Sequence, residues 1–221
     1  MEKFKHLLLC LSLLAVMSLA ESRGRQLTVP DDASDRPKID VESYSVDIRL
    51  EPEERRLTGK ADVLFKQLDR QNYAVFDLDR RLRVDKATIN GADVRFRQFD
   101  VDSTVEIDLG GQQFNSSPVL HIEYSGILNP DEDRSEPILG RISEHSAFLL
   151  YAGKWFPTNG LYRDKAVMRL KVAAPVGWTL VTDLAKAADG YSSAQPSYWG
   201  TVVAGKYNTT NLKSEKADIS I

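Results

Sequence analysis

The sequence predicts an all-β fold, an antiparallel β-sandwich or saddle, and three observations carry this prediction. Apolar and polar residues alternate one by one through most of the chain, as in strands that bury one face. Glycine, asparagine and proline interrupt the alternation at short intervals, as turns between neighbouring strands require. Beyond residue 20, no stretch keeps apolar residues at helical spacing.

The individual strands follow from the same alternation. Asn90-Gly91 stands between two alternating segments and is the strongest hairpin signal, because both turn residues must adopt positive φ. Residues 129–146 are acidic, contain Pro130 and Pro137, and are predicted to form a long surface loop with at most a short turn of helix. The predicted strands cover 44–50, 61–65, 74–78, 87–89, 94–96, 105–109, 120–124, 166–174 and a segment that begins at 178. Together they predict one β domain over residues 39–221.

The first twenty residues are predicted to be a signal peptide rather than part of the fold. Lys3 and Lys5 precede an apolar run, Leu7–Val16, and a cleavage site follows Ala20. An uncleaved anchor and a lipoprotein acylated at Cys10 are the alternatives, although the apolar run is short for a membrane span. Residues 21–38 are predicted to form a flexible polar tether.

Composition narrows the location and the class of partner. The chain has 221 residues, a formal net charge of -3 and a pI near 5.7, so it has no basic surface that would indicate nucleic acid as a partner. Cys10 is the only cysteine, and cleavage of the leader removes it. An exported domain without disulfides favours a periplasmic or extracellular bacterial protein, with no membrane span beyond the leader.

The sequence predicts no catalytic or metal-binding residue. A zinc site needs three close protein ligands, yet beyond the leader the histidines are only His121 and His145, without ligand spacing. His121 is predicted to lie exposed on the face of its strand opposite the core, and His145 in a solvated loop. Asp77 and Asp79 are expected on an ordinary solvated strand face. The cluster Asp131–Asp133 could attract calcium but lacks the spacing of a dedicated loop.

The segment Trp155-Phe156-Pro157 is the most specific local feature. It places two large apolar rings beside a proline that stiffens the backbone. One interpretation is that the rings close the edge of the sandwich. The other is that they anchor a neighbouring domain, since aromatic residues contribute disproportionately to interfaces. The two interpretations are compatible.

Six segments carry a resemblance to a known family, in chain order Tyr44–Leu50, Leu57–Val63, Leu120–Leu128, Lys154–Pro157, Ala173–Val181 and Val203–Tyr207. Together they resemble the N-terminal β-domain of M1-family (gluzincin) zinc aminopeptidases, in particular a divergent bacterial branch. Thr158–Leu161 replaces the Cys-x-Asp-Glu-Pro run of many members, and neither Ser146 nor Phe148 supplies the Gln or Glu that the family places near its substrate amino terminus. No substrate-binding residue is therefore assigned.

The resemblance implies that full-length relatives use zinc in a catalytic domain to remove N-terminal residues from peptides. This sequence has neither the GxMEN nor the HExxH motif of that domain. It is therefore expected to be a non-catalytic N-terminal β-domain, truncated or split from its enzyme, with no cofactor of its own and an M1-type catalytic domain or a peptide as partner. The alternatives are a free-standing exported β-sandwich that binds peptide, glycan or protein, and an enzyme with an unrecognised site.

Overall fold

The computed structural model describes residues 36–112, 114–128, 138–207, 211–213 and 218–220. Two compact units divide the chain, Met1–Arg36 and Pro37–Ile221, and the described residues belong almost entirely to the second. The predicted signal peptide, most of the tether and the Asp131–Asp133 cluster lie outside the described residues. In the part that is described, no helix is long and apolar enough to cross a membrane.

The largest described sheet has eight strands, in the order β13-β14-β11-β1-β2-β8-β4-β5. Its pairings are antiparallel except that β1 runs parallel to β11. The strands are β1 Ile39–Glu51, β2 Arg56–Gln67, β4 Leu82–Ile89, β5 Ala92–Asp93, β8 Val119–Ile127, β11 Val167–Ala173, β13 Ala185–Ala187 and β14 Gly190–Ser192.

Three smaller sheets complete the described architecture. A three-stranded sheet has the order β3-β7-β6, a four-stranded sheet has the order β12-β15-β10-β9, and β16 pairs with β17. A 3₁₀ turn, Tyr151–Gly153, follows β10. The strands of these three sheets are β3 Tyr73–Asp77, β6 Phe96–Phe99, β7 Thr104–Asp108, β9 Gly140–Ile142, β10 Ser146–Leu149, β12 Thr179–Thr182, β15 Val202–Gly205, β16 Asn211–Lys213 and β17 Asp218–Ser220. The predicted all-β, largely antiparallel fold is confirmed.

The core lies where the alternating faces of these sheets meet. On β1, the side chains of Tyr44, Val46, Ile48 and Leu50 are all buried, while the residues between them face outward. Phe65 of β2 meets Phe76 of β3 edge to face, with 5.8 Å between ring centroids. The spacing of two that the sequence shows is thus the spacing of the buried residues.

The predicted Asn90-Gly91 hairpin is also confirmed. Asn90 has φ 51° and Gly91 has φ 85°, and the residues that flank them pair as Ile89 with Ala92. Glycine adopts positive φ without steric cost, and asparagine adopts it more readily than most other residues. The chain then leaves this sheet, because β6 pairs with β7 of the three-stranded sheet instead.

The predicted loop over residues 129–146 is wrong at residues 140–142 and at Ser146, which belong to strands. Gly140–Ile142 form strand β9, which pairs with β10, and the side chain of Ile142 is buried. Three residues are too few to show an alternating pattern in the sequence, and only the pairing with β10 reveals the strand. Residues 129–137 lie outside the described part of the chain.

Candidate functional site

The segment Lys154–Thr158 lies against the end of β3. The Asp77 amide donates to the Thr158 carbonyl at 2.7 Å, and the Thr158 amide donates back to Asp77 at 3.0 Å. The Asp79 amide donates to the Lys154 carbonyl at 2.8 Å. Lys154 itself ends the 3₁₀ turn with φ 52°, and this turns the chain so that the next residues point inward. Three backbone hydrogen bonds therefore fix the aromatic segment in place.

Trp155 and Phe156 fill the interior at this point, and each is 0% exposed. The indole Nε1 donates to the Gly200 carbonyl at 2.7 Å, which satisfies the only polar atom of the ring. Phe156 packs edge-on against Tyr44 of β1, with ring centroids 5.3 Å apart. The rings thus connect β1 with the segment that leads into β15. Pro157 is buried beside them.

This burial bears on both interpretations of Trp155, Phe156 and Pro157. The rings hold elements of their own domain together, as the edge-closing interpretation requires. Because neither ring is exposed, a role in an interface with another domain would have to act through the residues that they support. That interface role stays a prediction.

A chain of tyrosines leads from Phe156 to the surface. Tyr151 packs against Phe156, Tyr162 and Tyr198, with ring centroids between 5.5 and 6.3 Å away. Burial raises the pKa of the Tyr151 phenol to about 12. Tyr162 is exposed at the outer end of this group, and the Lys165 ammonium lies 5.5 Å from the centre of the Tyr198 ring. The group is held together by contacts between its rings and by the Lys165 ammonium over the Tyr198 ring.

Asn159, which lies in the stretch Thr158–Leu161 that departs from the M1 pattern, and Asp164 form hydrogen bonds to the start of β1. The Asn159 side-chain amide donates to the Ile39 carbonyl at 2.9 Å and to Asp164 Oδ2 at 2.8 Å. The same carboxylate oxygen accepts from the Val41 amide at 2.6 Å, and the Tyr44 hydroxyl accepts from the Asn159 amide at 3.2 Å. The two side chains thus tie the start of β1 to the aromatic segment. Sequence reasoning missed them, since their partners lie far away in the chain.

The expectation of a solvated face for Asp77 and Asp79 is wrong. Both residues are buried, Asp77 with 4% exposed. Lys154 Nζ lies 3.0 Å from Asp77 Oδ1, and Arg81 reaches Asp79 through two side-chain hydrogen bonds of 2.9 and 2.5 Å. Strand β3 ends at Asp77, so the inward–outward alternation of its side chains does not extend to Asp79. Each carboxylate is compensated by a cation, as burial demands.

His121 lies on the outer face of the eight-stranded sheet, as predicted. Its Nδ1 lies 2.6 Å from Asp62 Oδ1 and its Nε2 lies 3.4 Å from Glu123 Oε1, with the side chain 31% exposed. Lys60 Nζ lies 3.2 Å from Glu123. The hydrogen bond from Lys60, followed by that from His121, holds the pKa of the Glu123 carboxyl below its ordinary value. His121 is therefore one member of a surface network of paired charges.

The remaining candidate residues lie in β10 and in the turn before it. His145 is exposed in the turn between β9 and β10, where the Ser143 hydroxyl donates to the Ser146 carbonyl at 2.9 Å. Ser146 and Phe148 belong to β10, where Ser146 pairs with Gly205 of β15 and Phe148 pairs with Arg141 of β9. Among the described residues, no group of three His, Cys, Asp or Glu side chains is placed to hold a metal ion. The zinc of the resembling enzymes thus has no fitting ligands in the described part of this chain.

Comparison with known proteins identifies solved structures that are similar to this fold. No protein-family profile and no curated protein sequence matches the chain. Among solved structures, the M1 zinc metallopeptidase from Deinococcus radiodurans is similar, with 18% identity and a TM-score of 0.62 over 84% of this chain and 46% of that one. A mutant of that enzyme bound to a Tyr-Ser-Ala substrate has 17% identity and the same TM-score over 82% and 46%. A two-domain M1 zinc metallopeptidase mutant bound to L-tryptophan has 18% identity and a TM-score of 0.62 over 84% and 48%.

The chain therefore has a β fold that is found in M1 zinc metallopeptidases, as the resemblance of its motifs implied. It spans less than half the length of the solved structures that it matches. At this level of identity the likeness shows the fold, and the activity of those enzymes is a separate question.

Proposed function

We propose that this chain provides the non-catalytic β-domain of an M1-like metallopeptidase and acts together with a zinc-bearing catalytic domain. The observation that carries the proposal is the coverage, since the match includes 82–84% of this chain but 46–48% of the solved enzymes. The remainder of such an enzyme would supply the zinc chemistry. The present chain would supply a rigid support for it.

The structure supports a scaffolding role in a physical sense. The aromatic segment is held by backbone hydrogen bonds, a buried indole hydrogen bond and edge-on ring contacts, all of which limit movement. Residues that position a catalytic domain must themselves be rigid, because small displacements at a reacting centre are costly. The aromatic segment is thus held in place from several sides by its own domain.

The proposal is tested on the native protein. Antibodies against the recombinant 221-residue chain would isolate the native antigen, whose mass, zinc content and release of tyrosine from Tyr-Ser-Ala are then measured with and without a chelator. We expect zinc and chelator-sensitive release in the native antigen and neither in the recombinant chain. The DNA downstream, read in all frames, should encode GxMEN and HExxH.

Two outcomes would contradict the proposal. If the recombinant chain alone binds stoichiometric zinc and releases tyrosine, the domain is itself catalytic. If the native antigen carries no zinc, shows no release and is not larger than this chain, it is a free-standing module, and binding of peptide, glycan or protein becomes the function to examine.

We further propose that the protein is exported, to the periplasm or the extracellular space of a bacterium. The support is the sequence of residues 1–20, with its basic start, apolar centre and small residues before position 21. Cell fractionation and N-terminal sequencing test this directly. A mature amino terminus at Glu21 is expected, and native protein that retains Met1 and stays in the cytoplasm would exclude it.

A further inference from the structure

The three-stranded sheet β3-β7-β6 has one face in the core and an opposite face with polar side chains. Its core face is formed by apolar side chains that are 0% exposed, among them Ala74, Phe76, Val105 and Ile107. Because side chains alternate along a strand, the residues between them point to the other side. There, Tyr73 is paired with Asp108, and Glu106 is paired with Arg97 of β6. A tyrosine ring, two carboxylates and a guanidinium group therefore share the outer face.

Two adjacent cavities lie at these residues. The first has a volume of about 400 Å³, and its lining includes Asn72 and Arg95 in addition to the four residues of the outer face. The second has a volume of about 410 Å³ and reaches Asp93 of the β4–β5 hairpin and Phe114. Arg95 and Asp108 line both cavities, so one elongated ligand can contact both. Each volume is within the range of roughly 300–1,000 Å³ that ligand sites occupy. We call the two cavities together the groove.

The charged side chains of the groove are oriented by one another. Asp108 accepts hydrogen bonds from the Gly110 amide at 2.8 Å and from Arg95 Nε at 3.1 Å. Arg97 Nη2 lies 3.7 Å from Glu106 Oε1. The side chains of Arg95 and Arg97 remain open to solvent, 90% and 68% exposed. The groove thus offers donors and acceptors that are already positioned, which lowers the cost of ordering them when a ligand binds.

The balance of these charges favours a neutral ligand. The guanidinium groups of Arg95 and Arg97 stand beside the carboxylates of Glu106 and Asp108, so the formal charge of the first cavity is balanced. An ion would gain no net attraction there and would have to displace one of the paired groups. A hydroxyl group gains from both kinds of partner, because it donates to a carboxylate and accepts from a guanidinium group.

Tyr73 and Phe114 add an apolar element, one half-buried ring to each cavity. The CH groups of a sugar ring can pack on such a ring while its hydroxyls reach the polar groups beside it. A peptide that adds a strand is less suited, because the first cavity lies on a face of the sheet, not along the edge where such a peptide pairs. We propose that the groove binds a neutral oligosaccharide, with one sugar unit in each cavity. This inference does not rest on the proposed function.

The test is a titration of the isotope-labelled 221-residue chain, followed by amide NMR, with maltotetraose, cellotetraose and N-acetylated chitotetraose as neutral probes. At least one probe should shift the amides of residues 95–97 and 106–108 in a saturable way. Arg97→Ala and Tyr73→Leu should each weaken that binding at least about tenfold. Arg83→Ala is the matched control, since Arg83 is also an exposed arginine paired with a carboxylate but lines neither cavity, and it should leave the affinity unchanged.

The same oligosaccharide, immobilised on beads, should retain the native antigen. Circular dichroism confirms that each variant chain is folded, and Arg97→Ala decides the test if Tyr73→Leu is not. The proposal is overturned if all three neutral probes leave residues 95–97 and 106–108 unshifted, if folded Arg97→Ala binds unchanged, or if the native antigen is not retained. Tighter binding of the anionic tetragalacturonate would overturn the neutral ligand, and shifts of the same amides by tetraalanine would assign the groove to a peptide. None of these measurements involves zinc, so the proposed function is tested separately.

Discussion

The ring of Tyr124 on β8 lies directly over Gly59 on β2. The two residues are paired across the strands, and a β-carbon built on Gly59 would lie 2.4 Å from Cζ and 2.6 Å from Oη of the tyrosine. Tyr124 is fully buried and has no room to move away. Gly59 is thus required by its partner, not by its own backbone, because no positive φ is involved.

Gly59→Ala should therefore destabilise the domain through overpacking. We expect a loss of about 2 kcal/mol in the free energy of unfolding, since extra atoms in a packed core force its neighbours to shift. Urea denaturation followed by fluorescence measures it. Gly140→Ala is the control, because a β-carbon there meets Leu128 and Leu149 at an ordinary 3.8 Å and should cost much less. Equal losses in the two variants would contradict the steric explanation.

Tyr124→Phe is expected to act in the opposite direction. The Tyr124 hydroxyl is buried and has no hydrogen-bond partner among the described residues, and burial raises the pKa of the phenol. Since an unsatisfied buried hydroxyl is costly, its removal should raise the free energy of unfolding by roughly 1 kcal/mol. Tyr44→Phe provides the comparison. The Tyr44 hydroxyl accepts a hydrogen bond from the Asn159 amide at 3.2 Å, so its removal should lower stability. A loss for Tyr124→Phe would show that its hydroxyl is satisfied.

Much of the fold could be predicted from the sequence, but little of the way in which distant strands pair. Alternation identified β1 and its buried residues because period two is a local property of each strand. The same is true of the turn at Asn90 and Gly91. The parallel pairing of β1 with β11 is not local, and no signal within either strand predicts it.

The candidate site shows the same limit. Trp155 and Phe156 were recognisable as an unusual pair, but the carbonyl that binds the indole belongs to Gly200, 45 residues later. The sequence pattern predicted a solvated Asp77, whereas the fold buries its carboxylate beside the Lys154 ammonium. Burial of a charge depends on a distant partner, and that partner cannot be chosen from the pattern around the charge.

Lys154→Ala tests how much the Asp77 ion pair contributes. Removing the ammonium leaves the buried Asp77 carboxylate with one cation fewer. We expect the free energy of unfolding to fall by about 2 kcal/mol, which is less than for a fully buried pair because Lys154 is partly exposed. Arg83→Ala is the matched variant on the surface. Arg83 and Asp100 are joined by two hydrogen bonds, yet both side chains are more than half exposed, so little change is expected. A larger loss for Arg83→Ala, measured by urea denaturation, would reverse this ranking.

Stability should fall in acid because several carboxyl pKa values are lowered in the folded state. A hydrogen bond from Arg83 lowers the pKa of Asp100, and one from the Gly110 amide lowers the pKa of Asp108. A lowered folded pKa gives stability that is present above the unfolded value, near about 4, and is lost as the pH falls through the folded value. The urea midpoint should therefore decrease from about pH 5 downward.

The contributions of Asp100 and Asp108 to the acid decrease should differ in their dependence on salt. At about 1 M salt, screening shortens the reach of exposed charges to about 3 Å, whereas a hydrogen bond from a backbone amide depends less on it. Asp100→Asn should flatten the acid decrease at low salt only, and Asp108→Asn at both salt concentrations. Identical behaviour of the two variants would show that the Arg95 contact, rather than the Gly110 amide, dominates at Asp108.

Trp155→Phe should be the most damaging conservative change in the aromatic segment. It leaves a gap in a fully buried position and removes the donor for the Gly200 carbonyl, 2.7 Å away in the interior. We expect a loss of about 3 kcal/mol, since an unfilled volume and an unsatisfied acceptor are both costly. Trp199→Phe is the control, because its indole donates to the Gln195 carbonyl at 2.8 Å close to solvent, where water replaces the donor. Urea denaturation of both variants decides it, and equal losses would mean that the indole at position 155 does not hold the sheets together.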